Sequence, residues 1–283
     1  MSNSLKINKP LVSVNWLFQN IEATNLIVLN GTLSKVSLKS NKIKTEQYQI
    51  SNARFFDLKK VFSVQGAAFP NTVLEPKEFE SKARDLGINN DSCIVVYDEY
   101  GIYSAPRVWW LFKTMGFDNV AVLDGGLPAW ITTDYAVEEK QKHPFEKGDF
   151  TVNYNAELLI NSDIVLNSLN DSTKQILDAR SSERFNSTAP EPRADIRSGH
   201  IPKSKSLPYS TIISNGKLKT KEELEHLFKK VNSKKNKLIF SCGSGITACV
   251  LALGATTIGF ENLAVYDGSW TEWGSLPHLP IEK

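Results

Sequence analysis

The sequence predicts an α/β protein of two tandem domains, each a parallel sheet flanked by helices, and three observations carry that prediction. The chain has 283 residues, more than one ordinary hydrophobic core serves, so two domains of about 140 residues are expected. A motif repeats at half the chain length: Gly116 to Gly126, ending at Trp130, matches Gly259 to Ser269, ending at Trp273. Short β-branched runs alternate with helical stretches, the pattern of βαβ crossovers, in which ligands bind beyond the carboxyl ends of the strands.

In chain order, Leu26 to Asn30 corresponds to Gln175 to Asp178, each a short strand ending in a polar residue that opens a loop. The apolar runs Ile94 to Tyr97 and Leu238 to Ser241 correspond next, and each leads into a loop of small residues and then a helical stretch. Those loops begin at Asp98 and Cys242. Between the halves, Thr132 to Tyr154 is charged and polar with little periodicity, as expected of a linker. The expected division is therefore 1–144, ending in a linker from about 132, and 145–283.

Hydrophobic residues at 41% and charged residues at 23% match soluble globular proteins and exclude a disordered or collagenous chain. With 33 Lys+Arg against 31 Asp+Glu, the chain has no strong field to attract nucleic acid or an anionic membrane, and neither is expected as a partner. No apolar run approaches the roughly 20 residues of a spanning helix. The opening MSNSLKINKP lacks the apolar segment of a secretory signal, which makes the cytoplasm the expected compartment. Three scattered cysteines, Cys93, Cys242 and Cys249, suit neither a disulfide framework nor a zinc site, and no dinucleotide or phosphate-loop fingerprint occurs. No metal or cofactor is expected.

Lys237 to Val250 reads as a buried strand, a tight loop and a helix starting near Thr247. Gly243 and Gly245 let the loop curl so that successive N–H groups point inward, and the helix adds its own unsatisfied N–H groups and positive dipole end. A thiolate at Cys242 is stabilised by such surroundings, and the thiolate is the nucleophilic form. An exposed, activated thiol there is also a candidate for sulfenic acid formation. Cys93, at a strand entry, and Cys249, on an apolar helical face, read as small buried hydrophobes.

Cys242-Gly243-Ser244-Gly245-Ile246-Thr247 resembles the active-site loop of the mercaptopyruvate sulfurtransferases of the rhodanese superfamily, Cys-Gly-Ser/Ala-Gly-Val-Thr. Asp178-Ala179-Arg180, Arg184-Phe185, Glu191-Pro192-Arg193, Gly199-His200-Ile201-Pro202 and Tyr266 to Trp270 resemble further blocks of that family in its order. Ala53 to Asp57, Val96-Tyr97-Asp98, Tyr103 to Trp110 and Asp124 to Leu127 do so in the first half.

The resemblance implies two rhodanese-like domains, of which only the second is catalytic, because the repeat puts Asp98 where the second half has Cys242. It implies that the Cys242 thiolate takes sulfur from 3-mercaptopyruvate as a persulfide, releases pyruvate, and passes the sulfur to cyanide or to a thiol such as thioredoxin. Arg184 and Arg193 match the family's carboxylate-binding arginines, a task suited to guanidinium forks. Gly243, Gly245, Ile246 and Thr247 would hold the sulfur through loop N–H groups, and Ser244 would relay a proton or orient the substrate.

One departure stands out. The family resemblance implies a first-domain histidine working with the loop serine, yet Asp57 to Pro70 has none, and the first histidine of the chain is His143. His200 reads as structural, and Trp109, Trp110, Trp130, Trp270 and Trp273 as core.

Three competing readings differ at stated residues. A thiosulfate sulfurtransferase loop resembles Cys-Arg-Lys-Gly-Val-Thr, with two cations where Gly243 and Ser244 are neutral. A Cys-x5-Arg phosphatase needs arginine where Ala248 stands. A non-catalytic sulfur-sensing module would not need the intact loop and both arginines. A monomer is expected.

Overall fold

The computed structural model describes residues 4–33, 47–232 and 237–283, so Met1 to Asn3 of the opening stretch lie outside it. The chain divides into two compact units. One comprises residues 1–64, 73–155 and 215–218, and the other residues 65–72, 156–214 and 219–283.

The first unit is built on a five-stranded sheet in the order Leu11–Val12, Val120–Leu123, Cys93–Tyr97, Leu26–Asn30, Arg54–Phe55. Every pairing in it is parallel. The central strand is buried at all five positions, which explains its unbroken apolar run. It leads into the helix Ala105–Thr114, where Pro106 in the first turn lacks only an N–H that would have no helical partner. Trp109 and Trp110 are buried, and Trp130 closes the opposite face of the sheet with Leu127. Within Thr132 to Tyr154, Val137–Glu139 pairs antiparallel with Tyr48–Ile50, and Phe150 is buried.

The second unit repeats the order, read here from the opposite edge: Lys205–Ser206, Lys174–Asp178, Lys237–Ser241, Leu263–Tyr266, Leu159–Ile160, again parallel throughout. Lys237–Ser241 lies at its centre, in register with Lys174–Asp178 from Lys237↔Lys174 to Ser241↔Asp178. Its helix Ala248–Thr257 is buried from Ala248 to Ala255, which is why that stretch is apolar on every side. Trp270 and Trp273 belong to a separate core cluster with Ile176, Ile239 and Tyr266.

The α/β class, the parallel sheets and the correspondence of the halves therefore match the sequence expectation. The register matters most for function. Asp98 and Cys242 each follow the last residue of a central strand, where parallel α/β sheets place their ligands.

Candidate active site

In the second unit the main chain turns sharply after Ser241. Gly245 adopts φ +76°, a left-handed conformation that costs glycine nothing, and the helix begins at Ala248. The loop is pinned from behind by Ser269. Its Oγ accepts the N–H groups of Cys242 at 3.1 Å and Gly245 at 3.2 Å and donates to the Tyr266 carbonyl at 2.9 Å. Ser269 itself has φ +51°, a strained backbone for a residue with a Cβ, offset by these three buried hydrogen bonds. Two further backbone bonds, Trp270 N–H to the Cys242 carbonyl and Thr271 N–H to the Gly243 carbonyl, both 2.9 Å, complete the brace.

The N–H groups of Gly243, Ser244, Ile246 and Thr247 have no protein acceptor among the described residues. They stand at the start of a helix ten residues long, whose dipole adds to their preference for an anion. Cys242 is free of any disulfide, and its Sγ lies 3.9 Å from Ser269 Oγ. The residue is only 1% exposed, which corrects the expectation of an exposed thiol. Oxidation by bulk access therefore loses its support, because the loop folds around the cysteine.

Arg184 lies directly against this loop, and Arg193 reaches it through Thr271. A Cβ built on Gly243 would lie 3.3 Å from Arg184 Nη2, so the guanidinium passes close to the glycine backbone. Arg193 Nη1 donates to Thr271 Oγ1 at 3.2 Å, and Thr271 Oγ1 donates to the Gly243 carbonyl at 2.5 Å. The two cations differ in compensation. Arg184 pairs with Glu191, which also accepts from Arg180 Nη1 at 2.8 Å, while Arg180 is bidentate to Asp178. The formal charges of these two acids and two bases cancel, with the Arg184 end partly exposed, and Arg180 also packs over Trp270 at 4.3 Å. Arg193 has no acidic partner among the described residues, so its charge is available to an anion.

His200 is packed as expected, with Nδ1 3.0 Å from the Phe185 carbonyl and its ring stacked on Phe185. Cys93 is buried in its strand, and burial pushes its thiol up to about 12. Cys249 Sγ donates to the Gly245 carbonyl at 3.3 Å, a structural contact beneath the loop.

Sequence reasoning did not assign roles to Ser269, Thr271, Glu191 or Asn71. Ser269 had a signal, because the repeat aligns it with Gly126, so that a hydroxymethyl group stands where the first copy has a hydrogen. Thr271 and Glu191 act only through partners distant in sequence, and Asn71 donates to Ser244 from a separate loop.

A parallel α/β sheet whose central strand ends in a cysteine-bearing loop, capped by a helix and flanked by arginines, defines the rhodanese class of fold. The rhodanese-like domain family matches residues 44–133 and 162–276, and the chain belongs to it. It is 37% identical to the mitochondrial thiosulfate/3-mercaptopyruvate sulfurtransferase 1 of Arabidopsis thaliana, over 100% of this chain and 80% of that protein. It is 34% identical to the 3-mercaptopyruvate sulfurtransferase of Escherichia coli K12, over 96% of this chain and 97% of that protein. The crystal structure of SseA from Escherichia coli, described as a 3-mercaptopyruvate sulfotransferase, superposes with a TM-score of 0.81 at 32% identity, covering 93% of this chain and 99% of SseA.

Proposed function

We propose that the chain is a sulfurtransferase that moves sulfur from 3-mercaptopyruvate through a Cys242 persulfide to a thiol or cyanide. The observation that carries this reading is the pair of corresponding loops. In the first unit, Asp98 Oδ2 accepts the N–H groups of Tyr103, Ser104 and Ala105 at 2.8–2.9 Å, and Oδ1 accepts that of Tyr100 at 2.9 Å. A carboxylate oxygen is two bonds from Cβ, as is the outer sulfur of a cysteine persulfide. The counterpart N–H groups around Cys242, at Ile246 and Thr247, have no acceptor among the described residues, so the loop is organised for an anion that Cys242 itself does not supply.

In the first half-reaction the thiolate attacks the substrate sulfur. The S–S bond forms as the S–C bond breaks; the transferred sulfur is oxidised and the substrate methylene carbon is reduced. The electron pair leaves on pyruvate as its enolate, and the proton of the original thiol ends on that carbon, giving pyruvate and an anionic persulfide. Ser244 passes this proton. Arg193, uncompensated, and Arg184, held by Glu191, bind the substrate carboxylate. The N–H groups of Gly243, Gly245, Ile246 and Thr247 line the loop, that of Gly245 holding it closed through Ser269. In the second half-reaction an acceptor thiolate or cyanide takes the outer sulfur and regenerates the thiolate.

We assign catalysis to the second domain, taken as 145–283, since Asp98 cannot carry sulfur. A reducing compartment, the cytoplasm, suits three unpaired thiols. A monomer with a small thiol or thioredoxin as acceptor is the simplest working state. The test is pyruvate release from 3-mercaptopyruvate beside thiocyanate formation from thiosulfate and cyanide, for wild type and Cys242→Ser. A mercaptopyruvate preference lost in the variant is expected. Preference for thiosulfate would overturn the donor assignment, and turnover by Cys242→Ser would overturn the mechanism.

A further inference from the structure

Residues 65–72 belong to the second compact unit, although they lie in the first half of the sequence. Thr72 Oγ1 donates to the Phe69 carbonyl at 2.8 Å, and Asn71 sits in the left-handed region at φ +62°, which asparagine tolerates better than most residues. The bend presents the Asn71 amide to the active loop. Nδ2 lies 3.0 Å from the Ser244 carbonyl oxygen and 3.2 Å from Ser244 Oγ.

These contacts fix the direction of the hydrogen bonds. A carbonyl oxygen only accepts, so the amide must turn its NH₂ and not its oxygen toward Ser244. The same NH₂ then donates to Ser244 Oγ, which accepts there and keeps its own proton for another partner. We infer that Asn71 is a positioning residue for the proton step: it holds the Ser244 hydroxyl as an acceptor on one side so that its proton is directed away, toward the substrate. This rests on the sulfurtransferase reading above and deepens it. An amide neither takes nor releases a proton here, so proton movement stays between the substrate thiol, Ser244 and the enolate. No histidine precedes His143, so no imidazole takes part from this segment.

The chemistry separates the two sulfur donors. Pyruvate must gain a proton at carbon as it leaves, whereas thiosulfate releases sulfite with no carbon to protonate. An error in Ser244 orientation therefore slows the first donor more than the second.

The experiment uses Asn71→Gly, which keeps the left-handed backbone without strain and deletes the amide. It measures kcat and KM with 3-mercaptopyruvate and with thiosulfate, in the wild-type and Ser244→Ala backgrounds. The expected result is a fall of about tenfold in kcat for pyruvate release with little change in KM. A smaller fall is expected with thiosulfate, and less than about a twofold effect once Ser244 is alanine. An Asn71→Asp variant, whose carboxylate would capture the serine proton, should lose at least as much. Equal losses with and without Ser244, or no loss in Asn71→Gly, would overturn the inference and leave the sulfurtransferase reading standing. A wild-type protein that releases no pyruvate would overturn both.

Discussion

The loops at Asp98 and Cys242 close corresponding strands of corresponding sheets, yet one carries its own anion and the other does not. Asp98 is fully buried and satisfies four N–H groups with one carboxylate, which makes its loop a finished structural element. The Cys242 loop is one residue shorter between strand and helix, is pinned by the Ser269 hydroxyl, and leaves its forward N–H groups without an acceptor among the described residues. The first loop spends its polarity on stability, and the second reserves it for chemistry. One side chain separates these outcomes, because a thiolate sulfur stops one bond short of where a carboxylate oxygen reaches.

The most severe way to probe this contrast is to write the first loop into the second. Cys242→Asp is expected to abolish transfer, a loss of at least about 1,000-fold, since no nucleophilic sulfur remains. It should nevertheless be more stable than Cys242→Asn, because hydrogen bonds to a charged acceptor are worth about 1.5–3 kcal/mol. Thermal unfolding of the two variants checks this, and equal midpoints would mean that the loop N–H groups do not converge on an anion.

A middle-sized effect is expected from removing the anion of the first loop. Asp98→Asn removes the charge and leaves an NH₂ among donors, so a loss of about 2–3 kcal/mol is expected. Turnover per folded molecule should stay near wild type, because Asp98 lies outside the catalytic loop. Denaturant unfolding combined with active-site titration separates the two quantities.

The smallest effect belongs to Ser269→Gly, which copies Gly126 into the second unit. The glycine relieves the φ +51° strain but orphans the buried N–H groups of Cys242 and Gly245, for a net cost of about 1 kcal/mol. A rise in stability would mean that the strain outweighs the pins. Cys93 gives a pH signature of its own. With its thiol pushed up to about 12 in the fold and ionising near 8.5 when unfolded, its contribution to stability is complete below about pH 8.5 and is lost as pH rises toward 12.

Much of this was legible in the sequence. The repeat located both loops, because similar motifs fold into corresponding strand ends, and the run Lys237–Ser241 followed by two glycines marked the strand, the turn and the helix. Arg184 and Arg193 stood out through local blocks; Arg184 lies against Gly243, and Arg193 is joined to the loop by Thr271. The unread part consists of contacts made across sequence distance. Glu191 bridges Arg180 and Arg184, Thr271 links Arg193 to Gly243, and Asn71 reaches Ser244 from 173 positions away. Burial of Cys242 was missed for the same reason: it follows from what folds over the loop, and a glycine-rich stretch read alone suggests exposure.

The central claim is that the Cys242 loop is built to hold a sulfur anion two bonds from Cβ. Its most direct test is the intact mass of the protein after 3-mercaptopyruvate is added without any acceptor, followed by peptide mapping. A gain of one sulfur atom on Cys242, stable until a thiol or cyanide is added and then lost, is the predicted result. Pyruvate release with no added sulfur on Cys242, or the sulfur found on Cys93 or Cys249, would contradict the account.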